Sequence, residues 1–281
     1  MLERNLRHVK LVRLEELEIF DPQLKKCESS RSRVEYFFTM SPCLPLYVLA
    51  TGENIGSITY LDADLYFFDS FEKVFEEIGD ANIAIIPHNY TEGMLKKGAV
   101  KNGVYNVGWI TWKYNDEGLK CLNEWREKCI EWCYDKHEDD RFADQKYLDT
   151  WPSTFDGVKI ITHPGANLAP WNAGNYHLEI VSEAVVVDTQ ALLFYHFHGL
   201  KQLNMREFDC HLSTYFVGTN KNVLINALYI PYINRLIEIS DVPITSIRGQ
   251  QVGLIGLFKK HLKLFLKRRQ GDIIHVDSPI P

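Results

Sequence analysis

The chain has 281 residues, 46% hydrophobic and 24% charged, with a formal net charge of −6, so it can bury a full core and does not have the composition of a disordered protein. That charge, with no basic stripe interleaved with aromatics across the body of the chain, gives no general reason to bind nucleic acid. No apolar run reaches the ~20 residues that span a bilayer and no secretory-type apolar segment opens the chain, while the six cysteines at positions 27, 43, 121, 129, 133 and 210 form neither a C-x-x-C pair nor a zinc-ligand spacing; the expectation is a reduced, cytoplasmic protein whose membrane contact is at most peripheral.

In chain order, Val9 to Leu14 reads as a short strand, and Arg31 to Ala50 as a largely buried helix interrupted by Pro42 and Pro45. Ser57 to Leu61 is a β-branched, apolar run entering Asp62; Ser70 to Ile78 reads as helical; Asn82 to Ile86 is a second strand ended by Pro87. This βαβ order predicts an α/β fold with a mixed, mostly parallel sheet. Asp116 is a candidate cap for a helix ending near Asp135, whose inward positions Leu119, Leu122, Trp125, Cys129 and Trp132 recur every three or four residues. Further strands are expected at Val158–Ile161, Ala184–Asp188 and Leu192–Tyr195, with Pro-, Gly- and Asn-rich connections between Pro164 and Asn175. After about Gly218 the alternation weakens. The expected division is therefore one domain over residues 1–218 and a separately packed helical extension over 219–281.

The chemistry concentrates first at Tyr60-Leu61-Asp62-Ala63-Asp64. A continuing strand would put Asp62 and Asp64 on one face, where two uncompensated carboxylates repel and a hard divalent cation relieves them. A bare D-x-D is more often a pair of solvated acids after a strand. Here its apolar entry and the aromatic exit Leu65-Tyr66-Phe67-Phe68 favour a site. Period two also places His196 and His198 on one face of a strand end, although such a pair is by itself more often ordinary polar residues.

From about Arg31 to Leu200 the chain resembles bacterial nucleotide-diphospho-sugar transferases related to glycosyltransferase family 8, a retaining group that includes glycogenin and lipooligosaccharide galactosyltransferases. Four segments carry the resemblance in order: Tyr60 to Asp64, Tyr105-Asn106-Val107-Gly108, Asp144-Gln145, and His196-Phe197-His198-Gly199. It implies a GT-A-type fold and a manganese or magnesium ion held by Asp62, Asp64 and His196, with His198 as the reserve ligand. It further implies a nucleotide-sugar donor bound by Asp62, Ala63, Asp64, Asn106 and Gly108, with Gly199 leaving room beside the phosphates and Arg33, rather than Arg31, against the diphosphate. Asp144 and Gln145 are the implied catalytic pair beside the reacting anomeric carbon; covalent and front-face routes to retention both stay open. Asn167, Trp171 and Asn172 match the region near the acceptor, Trp171 either stacking on a sugar or packing under its loop, and His88 either faces the cleft or ends its strand.

The resemblance has gaps. The strand–helix unit that usually opens this fold and binds the nucleobase is missing before Leu11, and Leu200-Lys201-Gln202-Leu203 stands where the family has Lys-Pro-Trp, leaving Lys201 as a weak phosphate candidate. The run 254–269 combines eight apolar residues with six lysines and arginines and no acid, which suits an anionic membrane surface bearing a lipid-linked acceptor as well as a packed helix with a solvated edge. The expected function is transfer of a hexose from a nucleotide-diphosphate donor, UDP being one candidate, to a cell-surface glycan or lipid-linked acceptor in polysaccharide biosynthesis. Two rivals are a glycosyltransferase-like binding module without activity and a phosphohydrolase using Asp62 as nucleophile; the bulky Leu65-Tyr66-Phe67 argues against the second.

Overall fold

A computed structural model describes residues 8–204, 206–239 and 264–276. Its elements are α1 (Leu14–Phe20), α2 (Pro22–Cys27), α3 (Arg33–Met40), α4 (Cys43–Thr51), β1 (Ser57–Leu61), β2 (Leu65–Phe67), α5 (Glu72–Ile78), β3 (Ile83–Pro87), α6 (Glu92–Lys96), β4 (Tyr105–Lys113) and α7 (Asp116–Glu131). There follow α8 (Trp151–Thr154), β5 (Val158–Ile160), β6 (Leu178–Val181), β7 (Ala184–Val187), β8 (Gln190–Ala191), β9 (Phe194–His196), β10 (Lys201–Gln202), β11 (Glu207–Asp209), α9 (Lys221–Val223), α10 (Ile230–Ile239) and β12 (Ile273–His275). The chain forms two compact units, each built from separate stretches: residues up to 62, 78–87 and 100–161 in the first, and 63–77, 88–99 and 162 onward in the second.

The first unit carries a four-stranded sheet in the order β1-β4-β3-β5. Only β3 and β5 run parallel; β4 is antiparallel to both β1 and β3. The sheet is thus mixed, and the expectation of mostly parallel pairing fails because β4 had not been recognised. Seven successive residues of β4 are buried, so it has no polar–apolar alternation to betray it. Its core packs Trp112 on Trp125 at 5.6 Å, with Trp151 edge-on to Trp125 at 5.8 Å. Asn115, rather than Asp116, caps α7: its side chain accepts from the Gly118 amide at 2.9 Å. A Cβ on Gly118 would lie 2.1 Å from the Lys113 carbonyl oxygen, so the turn into α7 demands glycine there. The strand expected at Val9–Leu14 is not formed. Leu14 instead opens α1, whose first turn carries Glu15 and Glu16, favourable at a helix N-terminus, and which buries Leu17. Asp21 caps α2 and is held by the guanidinium of Arg126 from α7.

The second unit has three small sheets: β2-β9, β6-β7-β8 and β10-β11-β12. One apolar cluster joins Leu168, Leu178, Val187, Tyr195, Phe197 and Phe208 to Leu224, Leu228, Tyr229 and Ile233. The boundary expected at 218/219 therefore falls inside this unit. Residues 221–239 are helical, with a π-helical stretch at Leu224–Tyr229, but they belong to the same core as β9. The C-terminal strand β12 pairs with β11, and Lys267, itself largely buried, is clasped by buried Asp209. Of the basic run, residues 254–263 lie outside the described residues; in the described part Arg268 pairs with Glu207 at 2.7 Å, while Phe265 and Leu266 are exposed. Among the described residues no helix is long and apolar enough to cross a membrane.

Candidate metal centre

In the second unit, Tyr195 and Phe197 belong to the apolar core; alternation along β9 sends His196 to the other face, and His198 follows in the turn after the strand. The turn at Ala63–Asp64 delivers a carboxylate to them. The Asp64 carbonyl accepts from the Phe197 amide at 2.9 Å, extending the β2–β9 ladder by one bond, and Asp64 Oδ1 lies 2.9 Å from His196 Nε2. One ligand atom each from Asp64, His196 and His198 falls within 4.8 Å of the others, with His196 buried, Asp64 half-buried and His198 exposed. The cluster thus has a covered side and an open one.

Its electrostatics favour an ionised Asp64 and a neutral His198. Burial alone would raise the Asp64 carboxyl, but the hydrogen bond and charge of His196, with His198 adding, hold it below its usual value. Burial pulls His198 down, and neighbouring His196 pulls the same way. An ionised carboxylate with an imidazole disposed to stay neutral is the donor state a divalent cation requires.

Trp171 does not offer a face for stacking. It is only 5% exposed, and its ring stands edge-on to His196 at 5.0 Å and to His198 at 5.4 Å. Asn172, also expected near an acceptor, is buried and committed to its own loop: Oδ1 accepts from the Ala169 amide, and Nδ2 donates to the carbonyls of His88 and Asn167 at 3.0 Å each. His88 is buried and stacks on Tyr90 at 4.5 Å. Gly199 has a φ of +77° with open space where a Cβ would be, so glycine serves backbone conformation there. Lys201 lies in β10, opposite Asp209.

The remaining expected residues lie in the first unit. Strand β1 ends at Leu61, so Asp62 is not on a strand continuing to Asp64; its amide donates to the Gly108 carbonyl at 3.2 Å and its Oδ1 accepts from the Tyr60 hydroxyl at 3.1 Å. Asn106 Oδ1 accepts from the Gly108 amide at 2.9 Å, where β3 and β4 shift register. Asp144 is fully buried, and burial pushes its carboxyl up to about 7; Asp62 adds to the rise and a hydrogen bond with Ser41 opposes it. Gln145 begins the short 3-10 turn Lys146–Thr150 without capping it through its side chain. Arg33 is exposed, its guanidinium 5.5 Å from the Phe37 ring. Arg31 instead closes the end of α7, donating to the carbonyls of Ile130 and Glu131 and lying over Tyr134. Ser41, at the junction of two helices, gave no signal in the sequence; Tyr60 was visible as the residue two before Asp62.

No family model matches the chain. Over 231 residues it is 30% identical to the uncharacterized protein YfnD of Bacillus subtilis (strain 168), an alignment that covers 82% of this chain and 72% of that protein. The chain belongs to the YfnD family. It is also 32% identical over 190 residues to the uncharacterized protein YfnF of the same organism, covering 66% of this chain and 63% of that one.

What this YfnD-family chain brings together, then, is one carboxylate and two imidazoles in its second unit, and a partly buried hydrogen-bonded set of Ser41, Tyr60, Asp62 and Asp144 in its first. The former is a cluster that could hold a metal ion. In the latter, a carboxyl whose pKa lies near 7 is part-protonated at neutral pH and can donate a hydrogen bond as well as accept one.

Proposed function

We propose that this protein is a metal-dependent glycosyltransferase that moves a hexose from a nucleotide-diphosphate sugar to a glycan or lipid-linked acceptor. The observation that carries the reading is the convergence of Asp64, His196 and His198, since two segments of the resemblance, the D-x-D and the His-Phe-His-Gly, meet there despite 131 intervening residues between Asp64 and His196. The donor chemistry fits a cation. One hard carboxylate oxygen with two borderline imidazole nitrogens suits manganese, and related first-row ions, better than magnesium, which favours all-oxygen shells. When bound, the ion neutralises charge developing on the departing nucleoside diphosphate. The residues supply a preformed, partly covered cradle: His196 fixes the Asp64 carboxylate through its 2.9 Å contact, and His198 leaves the open side to solvent and substrate.

The test is calorimetric titration of Mn2+ and then UDP into the full chain, beside Asp64→Ala, followed by assay of UDP-sugar turnover. Mn2+-dependent UDP binding that Asp64→Ala abolishes, with sugar released or transferred, supports the reading. Nucleotide binding without turnover of any nucleotide sugar makes the protein a binding module, and silence towards Mn2+ and every nucleotide refutes the proposal.

A further inference from the structure

The indole of Trp171 stands edge-on to both imidazoles of the candidate cluster, at 5.0 Å from His196 and 5.4 Å from His198, with interplanar angles of 73° and 68°. A third imidazole, that of His88, lies edge-on to it at 5.3 Å. Its loop is fixed independently of the cluster. The Trp171 carbonyl accepts from the Thr91 amide at 3.1 Å, and the Asn172 side chain ties three backbone groups next to it. Asn167 is held at a φ of +59°, and the Leu168 carbonyl accepts from the His196 amide at 2.8 Å, so the same loop grips β9.

One feature of Trp171 runs against ordinary packing: its indole N–H is buried with no hydrogen-bond acceptor among the described residues. Burying an unmatched donor carries a desolvation cost that phenylalanine would avoid at a site where only hydrophobic filling mattered. The indole differs from phenylalanine in width, and the wider ring reaches both imidazoles, whose centroids lie 6.1 Å apart. Edge-to-face contacts fix ring orientation as well as fill space, and the orientation of ligating imidazoles governs metal affinity through the groups behind them.

We propose that Trp171 is the positioning residue of the metal centre, a wedge that sets the ring planes of His196 and His198 so that both nitrogens face the ion held with Asp64. This rests on the metal-centre reading above and adds to it a residue that binds neither ion nor substrate. The side chain acts by shape, so the order of effect is Trp, then Phe, then Leu.

The experiment is titration of Co2+ into the full chain by calorimetry, with the visible d–d absorption of the bound ion recorded, for wild type, Trp171→Phe, Trp171→Leu and Asp64→Ala; circular-dichroism melts confirm folding. Expected is a loss of Co2+ affinity of about 10- to 100-fold in Trp171→Leu, with a displaced d–d band, and a smaller loss with a band nearer wild type in Trp171→Phe. A defect confined to thermal stability, with affinity and band unchanged in Trp171→Leu, overturns the proposal while leaving the metal centre standing. If wild type takes up no Co2+, or Asp64→Ala takes it up equally well, the metal centre falls and the proposal with it. Should Trp171→Leu fail to fold, Trp171→Phe decides: wild-type affinity and an unchanged band there refute the wedge.

Discussion

Replacing Asp144 with asparagine tests the most perturbed carboxyl of the first unit. Asp144 is 5% exposed and its pKa is pushed from 3.8 up to about 7, by burial first and by the nearby charge of Asp62, against a hydrogen bond with Ser41. The folded chain therefore holds this proton more tightly than the unfolded chain. Between about pH 4 and 7 the unfolded state ionises first and the protein loses stability as pH rises, at about 1.4 kcal/mol per pH unit; above about 7 both states are ionised and the loss is complete, at about 4 kcal/mol. Asparagine has the shape of the protonated carboxyl and no charge to desolvate. Asp144→Asn should thus be more stable than wild type at pH 8, and its advantage should shrink by about 2–3 kcal/mol at pH 5. Urea unfolding of both proteins at pH 5, 6, 7 and 8 measures this directly. Parallel stability–pH curves for the two proteins would refute the reasoning, because they would mean that Asp144 titrates alike in the folded and unfolded states.

His198→Ala should weaken Mn2+ binding by at least tenfold in calorimetry, since it removes one of three donors, whereas ligation by Asp64 and His196 alone would leave the affinity unchanged. Asn172→Ala strands two carbonyls and one amide in a buried loop and should cost about 2–4 kcal/mol in urea unfolding. Asp209→Ala leaves the Lys267 ammonium, 13% exposed, without its carboxylate; a loss of about 3–5 kcal/mol is expected, with the double variant Asp209→Leu/Lys267→Met recovering most of it.

Legibility in the sequence followed the kind of signal each segment carried. Strands β1, β3, β5 and β7 stood out as short β-branched runs bounded by turn residues, and α7 announced itself by spacing: Leu122, Trp125 and Cys129 are all buried, as that spacing requires. Strand β4 was missed because seven residues buried in succession show no period. Val9 to Leu14 misled because a few alternating apolar residues fit a strand equally well, and only the acidic first turn and the buried Leu17 beyond it decide for a helix. Of the tail expected to be helical, residues 221–239 are so while Ile273–His275 forms strand β12, and the packing of 221–239 into the β9 core depends on contacts distant in sequence that no local pattern encodes. At the site, period two assumed strands that end early in both places: β1 ends at Leu61 and β9 at His196, so His198 reaches the cluster from the following turn and Asp62 does not share a strand with Asp64. Trp171 was ambiguous in sequence between a stacking platform and loop packing; its burial resolves that, and its proximity to both histidines depends on a loop conformation set by Asn172.

The convergence of Asp64, His196 and His198 also gives a reason for the aromatic mass around so short a strand. Leu65, Tyr66 and Phe67 pair with His196, Tyr195 and Phe194 in a ladder of only three residue pairs. A slip of one residue in such a ladder would turn His196 and His198 into the core and Tyr195 and Phe197 out to the ligand side. Three backbone pairs are weak protection against that slip. The aromatic contacts supply the rest: Phe197 stacks on Tyr232 at 3.9 Å and 18°, while Tyr195 and Tyr229 approach within 3.3 Å through their hydroxyls. Each of these contacts exists in one register alone. Residues on the opposite face of β9 therefore fix the backbone register that brings His196 to Asp64, and the helical segment over 221–239, which contributes Tyr229 and Tyr232, supports the strand from behind.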